Sequence, residues 1–142
     1  MDFNRLTQKL QEAVSQAQSI AAGSGHQEID TPHLLKALLL QRGGLLPRLL
    51  ERMDVSRDRV LAAAEDLLRR RARVSGAAAP YLSQALLGVL EEAQREAERM
   101  QDEFTAVEHV ALAFDHDKRG GAREIALGDH HVGGERQVRP VL

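Results

Sequence analysis

Apolar residues recur every three or four positions along most of the chain, which is the spacing of amphipathic helices. The first such stretch predicts a helix from about Gln8 to Ala22, with Thr7 as its N-cap and Gly23-Ser24-Gly25 at its end. A second helix is predicted after Asp30, which is a good N-cap residue. Its body, Leu34–Leu40, is apolar nearly all round, so we expect it to be buried.

The same spacing continues through the rest of the chain, and strand-like alternation is not apparent anywhere. Further helices are predicted from Leu45 to Met53, from the cap Ser56 to Leu68, from the cap Ser83 to Met100, from Val107 to Phe114, and from Ala122 to Leu127. Residues Arg69 to Pro80 are the predicted linker, because small residues and a proline collect near their end. Pro140 would stop a final helix, so the last residues are expected to fray.

The two halves of the chain match each other at a single offset of 76 residues, which pairs His33 with His109. The offset also aligns helix caps, helix breakers and apolar positions: Thr7 with Ser83, Leu10 with Leu86, Ala17 with Ala93, Ala37 with Ala113 and Gly44 with Gly120. So many matches without a gap indicate a tandem duplication. We predict an all-α fold of two pseudo-twofold-related four-helix repeats packed as one compact domain.

The first repeat is predicted to span residues 1–75 and the second residues 76–142, with a weak or frayed last helix. A seam between equivalent helices is the natural place for a binding site.

Composition favours a soluble globular protein, since 43% of residues are hydrophobic and 28% are charged. A net charge of −2 gives no strong attraction to nucleic acid or to an anionic membrane. The absence of cysteine excludes disulfides, thiolate metal sites and cysteine nucleophiles. No apolar run approaches the roughly 20 residues of a membrane span, and Met1–Arg5 lacks a signal pattern. We therefore expect a cytoplasmic protein.

No motif for catalysis is present, because none of the lysines lies in a phosphate-binding loop and neither G-x-S-x-G nor H-E-x-x-H occurs. We expect a non-enzyme without cofactor or metal. One alternative is a metal site from His116, Asp117, His130 and His131, whose spacing fits no standard ligand pattern, so solvated loop histidines are favoured.

Basic residues in the predicted linker raise a second alternative, that Arg69–Arg71 and Arg73 bind nucleic acid. A solvated helix end is favoured instead, because no aromatic residues are interleaved with these arginines.

Three polar residues near helix starts allow two interpretations each. His33 and His109 are expected to pack or hydrogen-bond in each core, and the alternative is contact with a ligand in the groove. Glu108 lies in the first turn of its helix. Its carboxylate either complements the helix dipole or forms a polar rim beside the groove.

The segments Leu6 to Ala21, Ile29 to Leu39 and Asp102 to Leu112 resemble the N-terminal domain of Clp/heat-shock ATPases, of which the doubled motif is the mark. The resemblance extends over about residues 1–127. Within the family, the first helix and Gln41–Leu50 are most similar to the ClpB disaggregases. Ala106 departs from the pattern, because the second motif usually has a capping serine there.

The resemblance implies a binding domain attached to a homohexameric AAA+ ring, with the ATPase modules downstream. Its function would be to capture exposed hydrophobic segments of unfolded or aggregated polypeptides. The alternative is docking of adaptor proteins, as in ClpA-like or ClpC-like unfoldases. By position, the polar site residues would be Thr7, Asp102 and Glu108. The apolar lining of the groove would be Leu86, Leu90, Ala93 and Val110. The isolated chain is expected to be a monomer.

Overall fold

The computed structural model describes residues 1–74 and 79–116, and this part of the chain is built mainly from helices. A short 3-10 turn at Phe3–Arg5 comes first. The helices are α1 (Gln8–Gly23), α2 (Thr31–Leu40), α3 (Leu45–Arg52), α4 (Arg57–Arg69), α5 (Gln84–Arg99) and α6 (Val107–His116). The prediction of an all-α fold is confirmed.

Hydroxyl side chains fix where several helices begin. Thr7 Oγ1 accepts a hydrogen bond from Leu10 N at 3.3 Å, and Ser83 Oγ accepts one from Leu86 N at 3.0 Å. Ser56 caps α4 in the same way. Each cap satisfies an amide that the first turn of a helix leaves without a partner. The predicted starts of α1, α4 and α5 are therefore confirmed.

The core lies where the apolar faces of α1, α2, α5 and α6 meet, and α2 packs on α1 and α4. The alanines of α1 bury one face at helical spacing. As predicted, most of α2 is buried, but the expectation was wrong for Leu40, which is 42% exposed at the end of the helix. The fully buried large apolar side chains include Leu10, Leu34, Leu38, Leu39, Leu86, Leu90 and Val110.

Two short strands cross between the halves of the molecule and were not predicted. Strand β1 (Glu28–Ile29) pairs in parallel with β2 (Tyr81–Leu82). Leu6 and Thr105, the repeat equivalents of Leu82 and Ile29, form the corresponding parallel bridge. In each half, the segment before the first helix therefore pairs with the segment before the second helix of the other half. Pairs of two residues are too short to show alternation in a sequence, so periodicity could not reveal them.

The offset of the sequence repeat reappears in the helices. Helices α1 and α5 both have 16 residues, α2 and α6 both have 10, and each pair begins 76 positions apart. The division at residues 75 and 76 stays a prediction. The predicted helix at Ala122–Leu127 and the predicted fraying at the end lie outside the described residues.

Candidate functional site

The first helix of each half ends in the same backbone conformation. Gly25 has φ 72°, and its repeat equivalent Gln101 has φ 61°, so both adopt the left-handed conformation. The next residue, His26 or Asp102, donates its amide to a carbonyl in the last turn of its helix at 2.9 or 2.8 Å. This type of ending turns the chain back towards the next helix. It brings His26 and Asp102 to equivalent places in the two halves.

In the first half this place is occupied by a pair of buried histidines. His33 Nδ1 accepts a hydrogen bond from Asp30 N at 2.8 Å, so the proton of the neutral ring lies on Nε2. Nε2 of His33 is 2.9 Å from Nδ1 of His26 and donates to it. Burial lowers the pKa of His33 to about 4, and the charges of His26 and Arg71 act in the same direction. Burial also lowers the pKa of His26, aided by the charges of Arg71 and Arg73.

In the second half the equivalent pair joins a histidine to a carboxylate. His109 Nδ1 accepts from Ala106 N at 2.8 Å, and His109 Nε2 donates to Asp102 Oδ2 at 2.9 Å. The imidazole is buried, whereas the side chain of Asp102 is 45% exposed. Both motif histidines are thus buried and hydrogen-bonded, which confirms the packing interpretation.

Asp30 links the two halves through its side chain. Its Oδ1 accepts hydrogen bonds from Thr31 N at 2.7 Å and from Ser83 Oγ at 2.8 Å. Its Oδ2 forms an ion pair with Arg71, just beyond α4. Because Ala106 stands at the equivalent position, the second half has no such carboxylate. The halves share one backbone plan but differ in polar chemistry.

The three polar residues of the predicted site lie around the Leu6–Thr105 bridge. Thr7 donates its amide to Thr105 O at 2.8 Å, and Thr105 lies between Asp102 and Glu108 in the sequence. Asp102 and Glu108 are exposed, and Thr7 is half-buried. The structure therefore brings Thr7 to the segment that carries both carboxylates. The role of these residues in binding stays a prediction.

The predicted apolar lining lies elsewhere, in the core between α5 and α6. Leu86, Leu90, Ala93 and Val110 each have 0% of their surface exposed. None of them presents apolar surface to a ligand in this conformation. Contact between these four residues and a ligand stays a prediction, and it requires α5 and α6 to separate.

Three exposed apolar side chains close in sequence to the two bridge residues were missed by sequence reasoning. Phe3 is 40% exposed, Phe104 is 45% exposed and Met100 is 51% exposed. Phe3 precedes Leu6 closely, and Phe104 is adjacent to Thr105, so the bridge joins the segments that carry them. A signal was available in the sequence, since Phe3 and Phe104 are two of only three phenylalanines and neither fits the apolar stripe of a predicted helix. We call Phe3, Met100 and Phe104 the bridge surface.

A comparison with protein families gives a match to the Clp repeat (R) N-terminal domain over residues 5–128. This chain belongs to the Clp repeat N-terminal domain family. The family is that of a non-catalytic domain, which agrees with the prediction of a non-enzyme. The resemblance of the doubled motif is thereby confirmed.

Known proteins place this Clp repeat domain near the ClpB chaperones. It is 43% identical over 122 residues to the chaperone protein ClpB of Bacillus cereus, covering 83% of this chain and 14% of that protein. The chain thus spans about one seventh of the length of that relative.

Two solved structures have the same fold. The N-terminal domain of the ClpV1 ATPase from E. coli matches with a TM-score of 0.75 at 26% identity, over 84% of this chain and 74% of that one. The Hsp104 N-terminal domain from Candida albicans matches with a TM-score of 0.79 at 17% identity, over 88% and 81% of the two chains.

Among the side chains that the structure describes, at residues 1–74 and 79–114, no three histidines or carboxylates are grouped to hold a metal ion. The alternative metal site at His116, Asp117, His130 and His131 falls on residues whose side chains are not described. None of the helices in the described ranges is long and apolar enough to cross a membrane.

Proposed function

We propose that this chain is the N-terminal substrate-binding domain of a ClpB-like disaggregase and captures exposed hydrophobic segments of unfolded or aggregated proteins. The observation that carries the proposal is its 43% identity to a ClpB chaperone across most of the chain. By itself the chain is a monomer, and its parent is a cytoplasmic homohexamer that binds no nucleic acid. Adaptor proteins are a second class of partner, as in ClpA-like or ClpC-like relatives.

The bridge surface supplies the apolar contact that this function needs. The side chains of Phe3, Met100 and Phe104 are already exposed, so a client can cover them without any change in the core. Covering apolar area stabilises a complex by about 25 cal/mol per Å². Contact with the bridge surface therefore gives weak and non-directional binding, which suits a domain that must release its client.

Carboxylates at the edge of this surface would select among clients. Asp102 and Glu108 are exposed and flank Thr105 in the sequence. Their charge favours segments in which apolar residues are mixed with lysine or arginine. Partly exposed charges mainly tune the rate of association and its salt dependence.

The test is a fluorescence anisotropy titration of the 142-residue chain with a short labelled peptide of Leu, Phe and Arg. Phe104→Ser should weaken binding about tenfold, as loss of an aromatic contact does at many interfaces. Tyr81→Ser is the matched control, since Tyr81 is a 55% exposed aromatic residue on β2, which pairs with β1 and takes no part in the bridge. This control should bind within about twofold of the wild type.

A second pair of variants tests the carboxylates. Glu108→Ala should weaken binding about threefold at low salt, and Glu91→Ala, an exposed carboxylate on α5, should not. Equal losses for Phe104→Ser and Tyr81→Ser would contradict the assignment of the bridge surface. Binding of folded adaptor proteins with no binding of the apolar peptide would favour adaptor docking.

A further inference from the structure

A cleft in the first half of the molecule shares no lining residue with the bridge surface. It has a volume of about 540 Å³ and opens between the end of α1, the middle of α2, and the end of α4 with the segment that follows. Its lining includes four cationic side chains, one carboxylate and a buried imidazole, namely Lys36, Arg69, Arg71, Arg73, Glu65 and His26. We call it the basic cleft.

The cations of the basic cleft are only partly neutralised. Lys36 Nζ lies 3.3 Å from Glu65 Oε2, and Arg69 lies 3.3 Å from Asp66 at the exposed end of α4. Arg71 forms an ion pair with Asp30, whereas Arg73 forms no ion pair within the described part of the chain. Each of the other three cations therefore has a carboxylate partner, and Arg73 carries the uncompensated positive charge of the cleft.

A buried hydrogen-bond donor adds to these cations. Nδ1 of His26 accepts from His33, so the proton of the neutral His26 ring lies on Nε2. The ring is 5% exposed and lines the cleft. No described residue accepts a hydrogen bond from this N–H. A buried donor without an acceptor is costly, and an anion in the cleft would provide one.

The second half shows that the repeat fold does not require this chemistry. At the equivalent positions, Met100 replaces Ser24, Asp102 replaces His26 and Leu112 replaces Lys36. A hydroxyl, an imidazole and an ammonium group are thus exchanged for two apolar groups and a carboxylate. The backbone at the helix ends is the same, so the difference lies in which ligand charge each half can bind.

We propose that the basic cleft binds an acidic segment of a polypeptide through its Asp or Glu side chains. The cleft admits a few side chains but not a nucleic-acid duplex, and its lining includes no Phe, Tyr or Trp on which bases could stack. The near-neutral charge of the whole chain also favours a local peptide contact over a nucleic acid. The proposal goes beyond the proposed client function and does not depend on it, since it concerns a different surface.

The experiment titrates the 142-residue chain with a short labelled peptide rich in Asp and Glu, and with the same peptide carrying Asn and Gln instead. The site variant is Arg69→Gln with Arg73→Gln. The matched control is Arg48→Gln with Arg52→Gln, which removes the same charge from exposed positions of α3. Both pairs include the arginine in the last turn of a helix, Arg69 of α4 or Arg52 of α3. Thermal unfolding of each variant by circular dichroism establishes that it is folded.

We expect the acidic peptide to bind and the neutral peptide to bind at least about tenfold more weakly. The site variant should lose about tenfold in affinity for the acidic peptide, and the control variant less than about twofold. In the NMR spectrum of the wild type, the imidazole signals of His26 should shift on binding.

Several outcomes would overturn the proposal. These are no binding of the acidic peptide, equal losses in both variants, or shifts confined to residues outside the basic cleft. If a single-stranded oligonucleotide bound more tightly than the acidic peptide through the same two arginines, the ligand of the cleft would be nucleic acid and the peptide proposal would be wrong. This experiment uses neither the apolar peptide nor Phe104→Ser. The acidic-peptide proposal and the proposed client function can therefore fail independently of each other.

Discussion

Ser83 Oγ donates a hydrogen bond of 2.8 Å to Asp30 Oδ1, which belongs to the other half of the molecule. The same hydroxyl accepts from Leu86 N and so caps α5. Its repeat equivalent, Thr7, caps α1 but faces no such carboxylate, because Ala106 stands at the position equivalent to Asp30. Comparing the two hydroxyls therefore separates the contribution of a helix cap to stability from the contribution of a hydrogen bond between the repeats.

The first prediction concerns this pair. Ser83→Ala should lower the free energy of unfolding by about 2 kcal/mol, because it removes a helix cap and leaves a buried carboxylate with one donor fewer. Thr7→Ala should lower it by about 1 kcal/mol, since only a cap is lost. Urea unfolding of both variants measures the difference. A larger loss for Thr7→Ala would mean that the hydrogen bond between Ser83 and Asp30 contributes nothing.

The second prediction concerns the left-handed helix ends. Gln101 has φ 61°, a conformation that costs a non-glycine residue about 1 kcal/mol or more. Gln101→Gly should therefore raise the free energy of unfolding by about 0.5–1 kcal/mol.

The equivalent glycine should respond in the opposite direction. Gly25→Ala should lower the free energy of unfolding by about 1 kcal/mol, although a Cβ at Gly25 would meet only ordinary contacts, at 3.6 Å and beyond. Gly23→Ala is the control, because Gly23 lies at the end of α1 without positive φ and should gain stability. Stabilisation by Gly25→Ala would contradict this account.

The third prediction is a dependence of stability on pH. The pKa of His33 is about 4 in the folded protein, below the value near 6.5 of an unfolded chain. The unfolded state therefore binds more protons as the pH falls, and the folded state loses stability. Stability should be full above pH 6.5 and should fall by about 3 kcal/mol down to pH 4 from His33 alone.

Urea unfolding at several pH values between 7 and 4 measures this loss. His26 contributes in the same direction, since its pKa is also lowered. In His33→Gln the free energy of unfolding should depend less steeply on pH, because about one proton fewer is taken up on unfolding. An unchanged slope in that variant would show that His33 is not the titrating group.

The fourth prediction distinguishes the core from a ligand groove. Leu90 is fully buried on α5, so Leu90→Ala should lower the free energy of unfolding by about 3 kcal/mol. Leu40→Ala is the control, because Leu40 is 42% exposed at the end of α2, and it should cost less than about 1 kcal/mol. If Leu90→Ala left stability unchanged but weakened binding of the apolar peptide, Leu90 would belong to the groove.

The helices could be predicted because their signals are local. Thr7, Ser83 and Asp30 mark helix starts by residue type, and the same residue types are those found as caps in the structure. The repeat gave the correspondence of α1 with α5, because caps and breakers recur at one offset.

The polar pairs of the site could not be predicted from residue type alone. His26 and Asp102 lie seven residues before His33 and His109, and that spacing recurs in both halves. The connection depends on the backbone turn after the first helix, at Gly25 and Gln101. Glutamine gives no sign of a left-handed conformation, so the second turn was not visible in the sequence. The burial of Leu90 also depends on which helix covers it, and spacing cannot tell a core face from a groove face.

Both backbone pairings, of β1 with β2 and of Leu6 with Thr105, join one half to the other, so each half alone lacks the partners of its paired segments. A chain cut between residues 74 and 79 would yield two fragments, and each would carry two strand edges whose partners belong to the other. Mixed in solution, such fragments should reassemble as a non-covalent pair, in the way of a split reporter protein. The covalent link between the halves would then only raise the local concentration of each strand edge near its partner. The fold itself would be specified by the complementary surfaces of the two halves.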